Sequence, residues 1–342
     1  MVPGKSSRSS RPKPSDVALD TKRNFIPLLN ANYAHIYPPF SVLYREPLLQ
    51  LPVKRQPSIR PPSFHIEYGD PVERAIEYAL LATQENERKG GPRIRIPFIC
   101  AANERRPGGD WEIGSLLYEE KLCRRSNLFA TLSTPLPQTR EESNYPIPTM
   151  GGIFSDAVVV CRGPHDRYEK LDRWYDLPVL SMPPTRWPRL KDNGTSYSFD
   201  AERQQMKDKI RGALRICHYN GYDRVVVGDF GLGNGCRNPP QQLAEIWREV
   251  LLFDPELRGQ FEDVFFIFED PDLNTRRCII EELIKKEQKS RTKSRSGGVD
   301  LRSLLRDAPP DMVTFQRVFD ADEIQRVISE PDPRYGLQMI TG

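Results

Sequence analysis

An α/β three-layer sandwich is the fold this chain predicts, on three observations. Apolar segments of strand length recur at Ala157–Cys161, at Arg224–Gly228 with Val225-Val226-Val227 at its centre, and at Val264–Phe268, the pattern of strands covered on both sheet faces. Between them lie segments with helical apolar spacing, clearest from Asp200 to Tyr219. Two strand segments run straight into glycine-rich turns, the position at which open α/β sheets bind ligands. Alternating strands and amphipathic helices of this kind stack as helices on both faces of a sheet.

At 342 residues the chain has room for one large domain with extensions. A net charge of +3 in a chain rich in both signs is only mildly basic and argues against a dedicated nucleic-acid binder. Six cysteines stand at 100, 123, 161, 217, 236 and 278 without a Cys-x-x-Cys pair, so reduced, buried thiols are expected. No apolar run approaches membrane-spanning length. The segment Met1–Arg11 is basic, Ser-rich and lacks an apolar core, so it reads as a disordered tail rather than a secretory signal. An intracellular protein, cytoplasmic and/or nuclear, is expected, with no membrane and no sequence-specific nucleic-acid partner.

Residues 1–64 are Pro-rich and are expected to start disordered and continue as an extended arm packed on the domain. Phe40-Ser41-Val42-Leu43-Tyr44 is too apolar for a free linker. The main domain is placed at 65–284. Asp70-Pro71-Val72-Glu73 is a helix start, with Asp as N-cap and Pro at N1. Ile76 and Leu80 mark its apolar face, and Gly90-Gly91 stops it. Arg93–Cys100 reads as a strand whose early half is pushed to an edge or bulge by Pro97. Leu177–Met182 is a weaker strand stopped by Pro183-Pro184. The helix from Asp200 buries Met206, Ile210, Ala213, Leu214 and Cys217 and closes at Gly221. After the strand Arg224–Gly228, a helix is expected from Asn238-Pro239-Pro240-Gln241, capped by Asn238, burying Leu243, Ile246, Trp247, Val250 and Leu251. Residues 285–298 are charged and read as a solvated linker. Residues 299–342 form a C-terminal extension with helical pieces at Leu301–Leu305 and Ala321–Ile328.

The chemistry concentrates after the two strands that end in glycine. The first stretch holds Asn103, then Pro107-Gly108-Gly109-Asp110, then Tyr118-Glu119-Glu120. The second is Gly228-Asp229-Phe230-Gly231-Leu232-Gly233-Asn234-Gly235. Glycines let backbone N–H groups approach a phosphate closely, and two such loops in one domain favour a phosphate-containing ligand gripped from both sides. Neither loop is G-x-x-x-x-G-K-[ST], which argues against a P-loop NTPase. The second has the order Gly228, Gly231, Gly233, not that of the dinucleotide fingerprint, so a nicotinamide dehydrogenase ranks lower. His65, His165 and His218 lack metal-ligand spacing, and no metal or cofactor is expected. The basic run Lys285–Arg295 is read as a solvated segment.

Asn103, Pro107, Gly108, Gly109, Tyr118, Glu119, Glu120, Lys121, Leu122, Cys123, Arg124 and Arg125 together resemble the signature of microbial-type poly(ADP-ribose) glycohydrolases, a family of the macrodomain superfamily. Gly228, Gly231, Gly233, Asn238 and Pro239 are similar to its second phosphate loop. The resemblance covers about residues 65–270. It implies a macrodomain-like α/β/α sandwich with a mixed central sheet. It further implies ADP-ribose as ligand, and poly(ADP-ribose) or an ADP-ribosylated protein as partner. Under it, Glu120 is the acid that protonates the departing group and then activates water, while Glu119 orients the ribose. Asn103 would hold the distal ribose hydroxyls, or else cap its own turn. Gly108, Gly109, Asp110, Tyr118, Gly228, Gly231, Gly233, Asn234 and Gly235 would line the ligand. Phe230 would either contact it or belong to the core.

Three departures stand out. Asp110 replaces a third glycine and is expected to face solvent, a basic side chain or the ribose. Tyr118 replaces a glutamine. The second loop is longer by a residue, and Cys236-Arg237 falls where the family has an aromatic that covers the ligand. The expected function is removal of ADP-ribose from poly- or mono-ADP-ribosylated targets. The alternatives are a non-catalytic ADP-ribose reader and a hydrolase of a free ADP-ribose derivative.

Overall fold

The structure is a computed structural model that describes residues 12–52, 60–290 and 301–329. The expected disordered start at 1–11, and parts of the expected linker and C-terminal extension, lie outside these residues. Along the chain the arm forms Pro14–Asp20 (α1), a π-turn at Thr21–Phe25, Ile26–Asn32 (α2), Val42–Tyr44 (β1) and Pro47–Gln50 (α3). Ser63–Tyr68 (β2), Pro71–Glu87 (α4), Phe98–Ala101 (β3), Tyr118–Arg125 (α5) and Leu128–Ser133 (α6) follow. Next come Gly152–Arg162 (β4), Lys170–Met182 (β5), a small ribbon of Leu190–Lys191 (β6) and Ser196–Tyr197 (β7), and Asp200–Tyr219 (α7). The remainder is Arg224–Val227 (β8), Gly233–Cys236 (α8), Pro240–Phe253 (α9), Asp263–Phe268 (β9), Thr275–Ser290 (α10), Leu301–Asp307 (α11), Asp311–Val318 (α12) and Ala321–Ser329 (α13).

Seven strands make one mixed sheet in the order β1-β4-β5-β3-β8-β9-β2. β5, β3, β8, β9 and β2 run parallel, and β4 is antiparallel to both β5 and β1. Two buried cores cover the two faces. One, built around α7 and α9, contains Met206, Ile210, Leu243 and Trp247. The other, built around α4 and α5, contains Val72, Ala75, Leu122 and Val179. The expected α/β/α sandwich with a mixed sheet is therefore present. β3 and β8 are neighbours in parallel register, Phe98 opposite Val226 and Ile99 opposite Val227, so both glycine-rich loops leave the same end of the sheet side by side.

Several expectations are corrected. The strand at 93–100 starts only at Phe98, because Pro97 has no N–H to give and the chain pairs there only through its carbonyl, which accepts from Val226 N at 2.9 Å. The strand at 177–182 is the end of a 13-residue strand. Its first half is polar because it pairs outward with β4 alone, and Pro178 sits where the ladder shifts register between Ser155 and Val158. Asn238 does not cap α9, whose N-cap is Pro239 without a side-chain bond. Its amide instead donates to the carbonyls of Gly231 at 2.7 Å and Thr185 at 2.8 Å. Residues 285–290, expected in the linker, continue α10. Asp70 does cap α4, accepting from Glu73 N at 2.9 Å. All six cysteines are free, and only Cys278 is less than buried.

Both extensions are built into the domain. β1 lengthens the sheet, with Val42 opposite Phe154, and Thr21 Oγ1 donates to the Arg124 carbonyl at 2.7 Å. On the other side α12 sets Phe315 and its cap residue Phe319 against Phe266, ring centroids 5.2 and 4.9 Å apart. The described part of 299–342 thus belongs to the core over β9.

Candidate active site

The first loop is shaped by its glycines around α5. Gly108 and Gly109 have φ of +65° and +50°, a region costly for any residue with a Cβ. A Cβ on Gly108 would lie 2.9 Å from both Cys123 Sγ and Trp111 Cδ1. On Gly109 it would run into Glu120 Oε1 and sit 3.1 Å from Asn103 Nδ2. The missing side chains therefore let the loop fold down onto the catalytic candidates themselves.

Glu119 and Glu120 open α5 and are both buried, 1% and 3% exposed. They diverge as helix neighbours must. Glu119 Oε2 accepts from the backbone N–H of Asn103 at 2.7 Å, and Oε1 accepts from Tyr145 Oη at 3.4 Å. Burial pushes its carboxyl up to about 8, against those two hydrogen bonds and the nearby Arg186, with the Glu120 charge adding to the rise. The Glu120 carboxyl is also raised, mainly by burial, while backbone N–H groups, Asp110's among them, and Arg124 pull it down. Arg124 is buried and anchored by Nε donating to the Trp111 carbonyl at 2.7 Å. Arg125 donates to both carboxylate oxygens of Asp70 at 2.9 and 2.8 Å, which ties the far end of α5 to the cap of α4.

Asn103 does cap its own turn. Its Oδ1 accepts from Arg105 N at 2.9 Å and Arg106 N at 3.2 Å, so a ligand would meet the Nδ2 donor rather than the oxygen. Asp110 is exposed and ion-paired to Arg106, one of the orientations expected of it. Tyr118 bridges the loops. A Cβ on Gly228 would lie 3.5 Å from its Cζ, and Lys121 Nζ stands 5.0 Å from its ring centroid.

In the second loop the expected residues divide. Gly231 and Gly233 have φ of +86° and +72°. Gly231 is needed for space as well, since a Cβ there would lie 2.8 Å from Met206 Cε. Asn234 is exposed, and its side-chain oxygen accepts from Arg237 Nε at 2.9 Å. Gly235 has open space around it. Phe230 is 2% exposed and packs edge-on to Trp247 at 6.1 Å, so it belongs to the core and not to the ligand surface. The backbone N–H of Gly233 is already used, donating to Thr275 Oγ1 at 2.6 Å. That hydroxyl donates in turn to Asp311 Oδ2 at 2.5 Å, and Thr275 N donates to Asp311 Oδ1 at 3.0 Å. The C-terminal extension therefore reaches the second loop through one threonine.

Sequence reasoning missed Tyr145, Arg186, Thr275, Asp311 and the group beside Tyr118. In that group Glu269, at the end of β9, pairs with Lys121 and with His165 Nδ1 at 2.7 Å. These partners hold its carboxyl down to about 2 against the opposing effect of burial. Asp229 beside it is pushed up by burial to about 7. Only Arg186 carried a readable signal, a cation two residues after the strand-ending Pro183-Pro184. Among the described residues no cluster of three or more His, Cys, Asp or Glu is placed to hold a metal ion, and no helix is long and apolar enough to cross a membrane.

Residues 63–163, which contain the first loop and both glutamates, match the family model described as microbial-type PARG, catalytic domain. This stretch is similar to that family's catalytic domain. The PARG-type segment runs from β2 to the end of β4 and so includes every residue of the first signature. Among solved structures, the poly(ADP-ribose) glycohydrolase of Thermomonospora curvata is 18% identical, with 78% of this chain and 98% of that chain covered and a TM-score of 0.52. A glutamate-to-alanine mutant of the same enzyme is 19% identical over the same shares, with a TM-score of 0.53. These likenesses establish the fold. No curated protein matches the chain.

Proposed function

We propose that the protein is an ADP-ribose glycohydrolase that cleaves the ribose glycosidic bond of poly- or mono-ADP-ribosylated targets. One observation carries the reading. Two buried carboxyls at the head of α5 are pressed against Asn103 and the Gly108-Gly109 turn, inside the segment that matches the PARG catalytic domain. In this site ADP-ribose spans the neighbouring ends of β3 and β8, with its diphosphate between the loops and its distal ribose over Asn103.

Glu119 is held by two hydrogen bonds and shifted to about 8, so at neutral pH it is mostly protonated and can donate to a ribose hydroxyl. Glu120 faces the turn, and its raised pKa suits an acid that must later act as a base. It gives its proton to the oxygen leaving C1″ as the C1″–O bond breaks and positive charge develops on the ribose. Water then adds to C1″ and returns a proton to Glu120. The products are ADP-ribose and the freed hydroxyl or side chain of the target.

The test is incubation of the full chain with radiolabelled poly- and mono-ADP-ribosylated proteins, followed by chromatography for free ADP-ribose. Binding of ADP-ribose without release from either substrate would replace the hydrolase with a reader.

A further inference from the structure

Where α9, α10 and α12 meet, a cavity of about 200 Å³ opens, and none of the residues assigned above to the ADP-ribose site lines it. Arg276, in the first turn of α10, forms one wall. Its Nε is shut away from solvent and has no hydrogen-bond partner. Thr314 and Arg317 line the cavity from α12, three residues apart and so on one side of that helix. Arg317 Nη2 donates at 2.7 Å to the side-chain oxygen of Gln241, at the start of α9. Neither guanidinium is paired with a carboxylate among the described residues.

Acidic groups on the same helices are engaged elsewhere. Glu245 Oε1 accepts from the Gln241 amide at 2.9 Å, and Asp311 is taken by Thr275. Asp320 and Glu323 share a neighbouring hollow with Arg317. Asp320 accepts the backbone N–H groups of Asp322 and Glu323, and Glu323 pairs with Arg248 and Arg326. The balance in the cavity is therefore positive. Two guanidinium forks without a counter-ion gain from an anion that accepts from both. The oxygens of a phosphate group match that geometry. At about 200 Å³ the cavity has room for about six waters and falls below the roughly 300 Å³ at which pockets take drug-sized ligands. It suits one phosphate group and not a whole nucleotide.

We propose that this cavity binds a single phosphate group, as the free ion or as a small monoester, and when filled braces the second glycine-rich loop. Thr275 directly precedes Arg276, and Asp311 opens the helix that carries Arg317. Those two residues form the relay that accepts the Gly233 N–H. An anion bridging Arg276 and Arg317 ties α10 to α12 beside that relay and so holds Gly233 in place. By linkage, filling the cavity and filling the ADP-ribose site favour each other. The cavity itself stands independently of the hydrolase reading.

The experiment is calorimetry at fixed ionic strength in chloride, with the full chain, Arg276→Gln and Arg317→Gln. Inorganic phosphate and glycerol 3-phosphate are titrated separately. The unmodified chain should bind at least one of them with a Kd of about 1 mM or tighter, and each substitution should weaken that binding about tenfold. Arg317 is exposed, so Arg317→Gln guards against a folding defect in Arg276→Gln. Tighter binding of the monoester names a phosphorylated small molecule as the occupant, and tighter binding of phosphate names the free ion; both support the site. Adding the ligand should also raise affinity for ADP-ribose about fivefold in the unmodified chain and leave it unchanged in both variants. No heat from either ligand at roughly ten times that concentration, or binding that Arg317→Gln leaves intact, would overturn the cavity. A fall in ADP-ribose affinity shared by all three proteins would place the phosphate between the glycine loops and overturn it too. Arginine-dependent binding with unchanged ADP-ribose affinity would overturn the brace. A chain that binds no ADP-ribose would overturn the hydrolase reading, while the phosphate titration alone still decides the cavity.

Discussion

Gly109→Ala isolates the contact on which the acid–base reading depends. Gly109 sits at φ +50°, and a methyl there would overlap Glu120 Oε1 and crowd Asn103 Nδ2 at 3.1 Å. The left-handed backbone alone costs an alanine about 1–2 kcal/mol. Pushing the Glu120 carboxyl off its backbone hydrogen bonds adds about 1–3 kcal/mol for a buried polar group left poorly paired, so a loss of about 2–5 kcal/mol is expected in all. A displacement of about 1 Å in a catalytic group costs on the order of a hundredfold in rate. Gly90→Ala is the control, because Gly90 is at φ +77° with nothing within 4 Å of its Cβ position. It carries the backbone strain and none of the collision. Urea unfolding of both variants, with single-turnover release of ADP-ribose, separates the two effects. The expected result is a larger stability loss in Gly109→Ala and a kcat fall of about a hundredfold that Gly90→Ala lacks. Gly109→Ala with the stability of Gly90→Ala and a kcat within threefold of the unmodified protein would refute the claim that this turn positions Glu120.

Three further outcomes are expected. Glu120→Gln retains ADP-ribose binding by calorimetry and loses hydrolysis by about a hundredfold or more, whereas Glu119→Gln weakens binding and turnover together; full activity in Glu120→Gln would remove it from the mechanism. Thr275→Val leaves the Gly233 N–H without its acceptor, so stability falls by about 1–3 kcal/mol and affinity for ADP-ribose drops, while unchanged affinity would mean the second loop does not depend on that hydroxyl. Glu119 is raised to about 8, and Asp229 and Asp311 to about 7, each chiefly by burial. The unfolded chain loses these protons near pH 4 and the folded protein keeps them, so their contribution is full below that and is lost as pH rises through 7 to 8. Asp311→Asn should flatten the fall in urea-unfolding stability between about pH 5 and 7, and an unaltered slope would show that Asp311 does not hold its proton.

What the sequence determined by itself was local. Asp70 before Pro71 dictates a helix start because its carboxylate can reach the N–H of Glu73, and the apolar spacing of Asp200–Tyr219 dictates one buried helix face. The PARG-type signature could be read because a tight turn and two carboxylates a fixed distance on are themselves a sequence pattern. Tertiary structure decided whatever depends on contacts far apart in the chain. Tyr145 meets Glu119, and Asp311 reaches Gly233 through Thr275; no spacing encodes those meetings, because they follow from which strands became neighbours. The same cause moved Phe230 from the ligand to the core and Asn238 from a helix cap to a clamp on Gly231. A side chain's candidate partners are set by its chemistry, but its actual partner is chosen by the packing of the whole sheet.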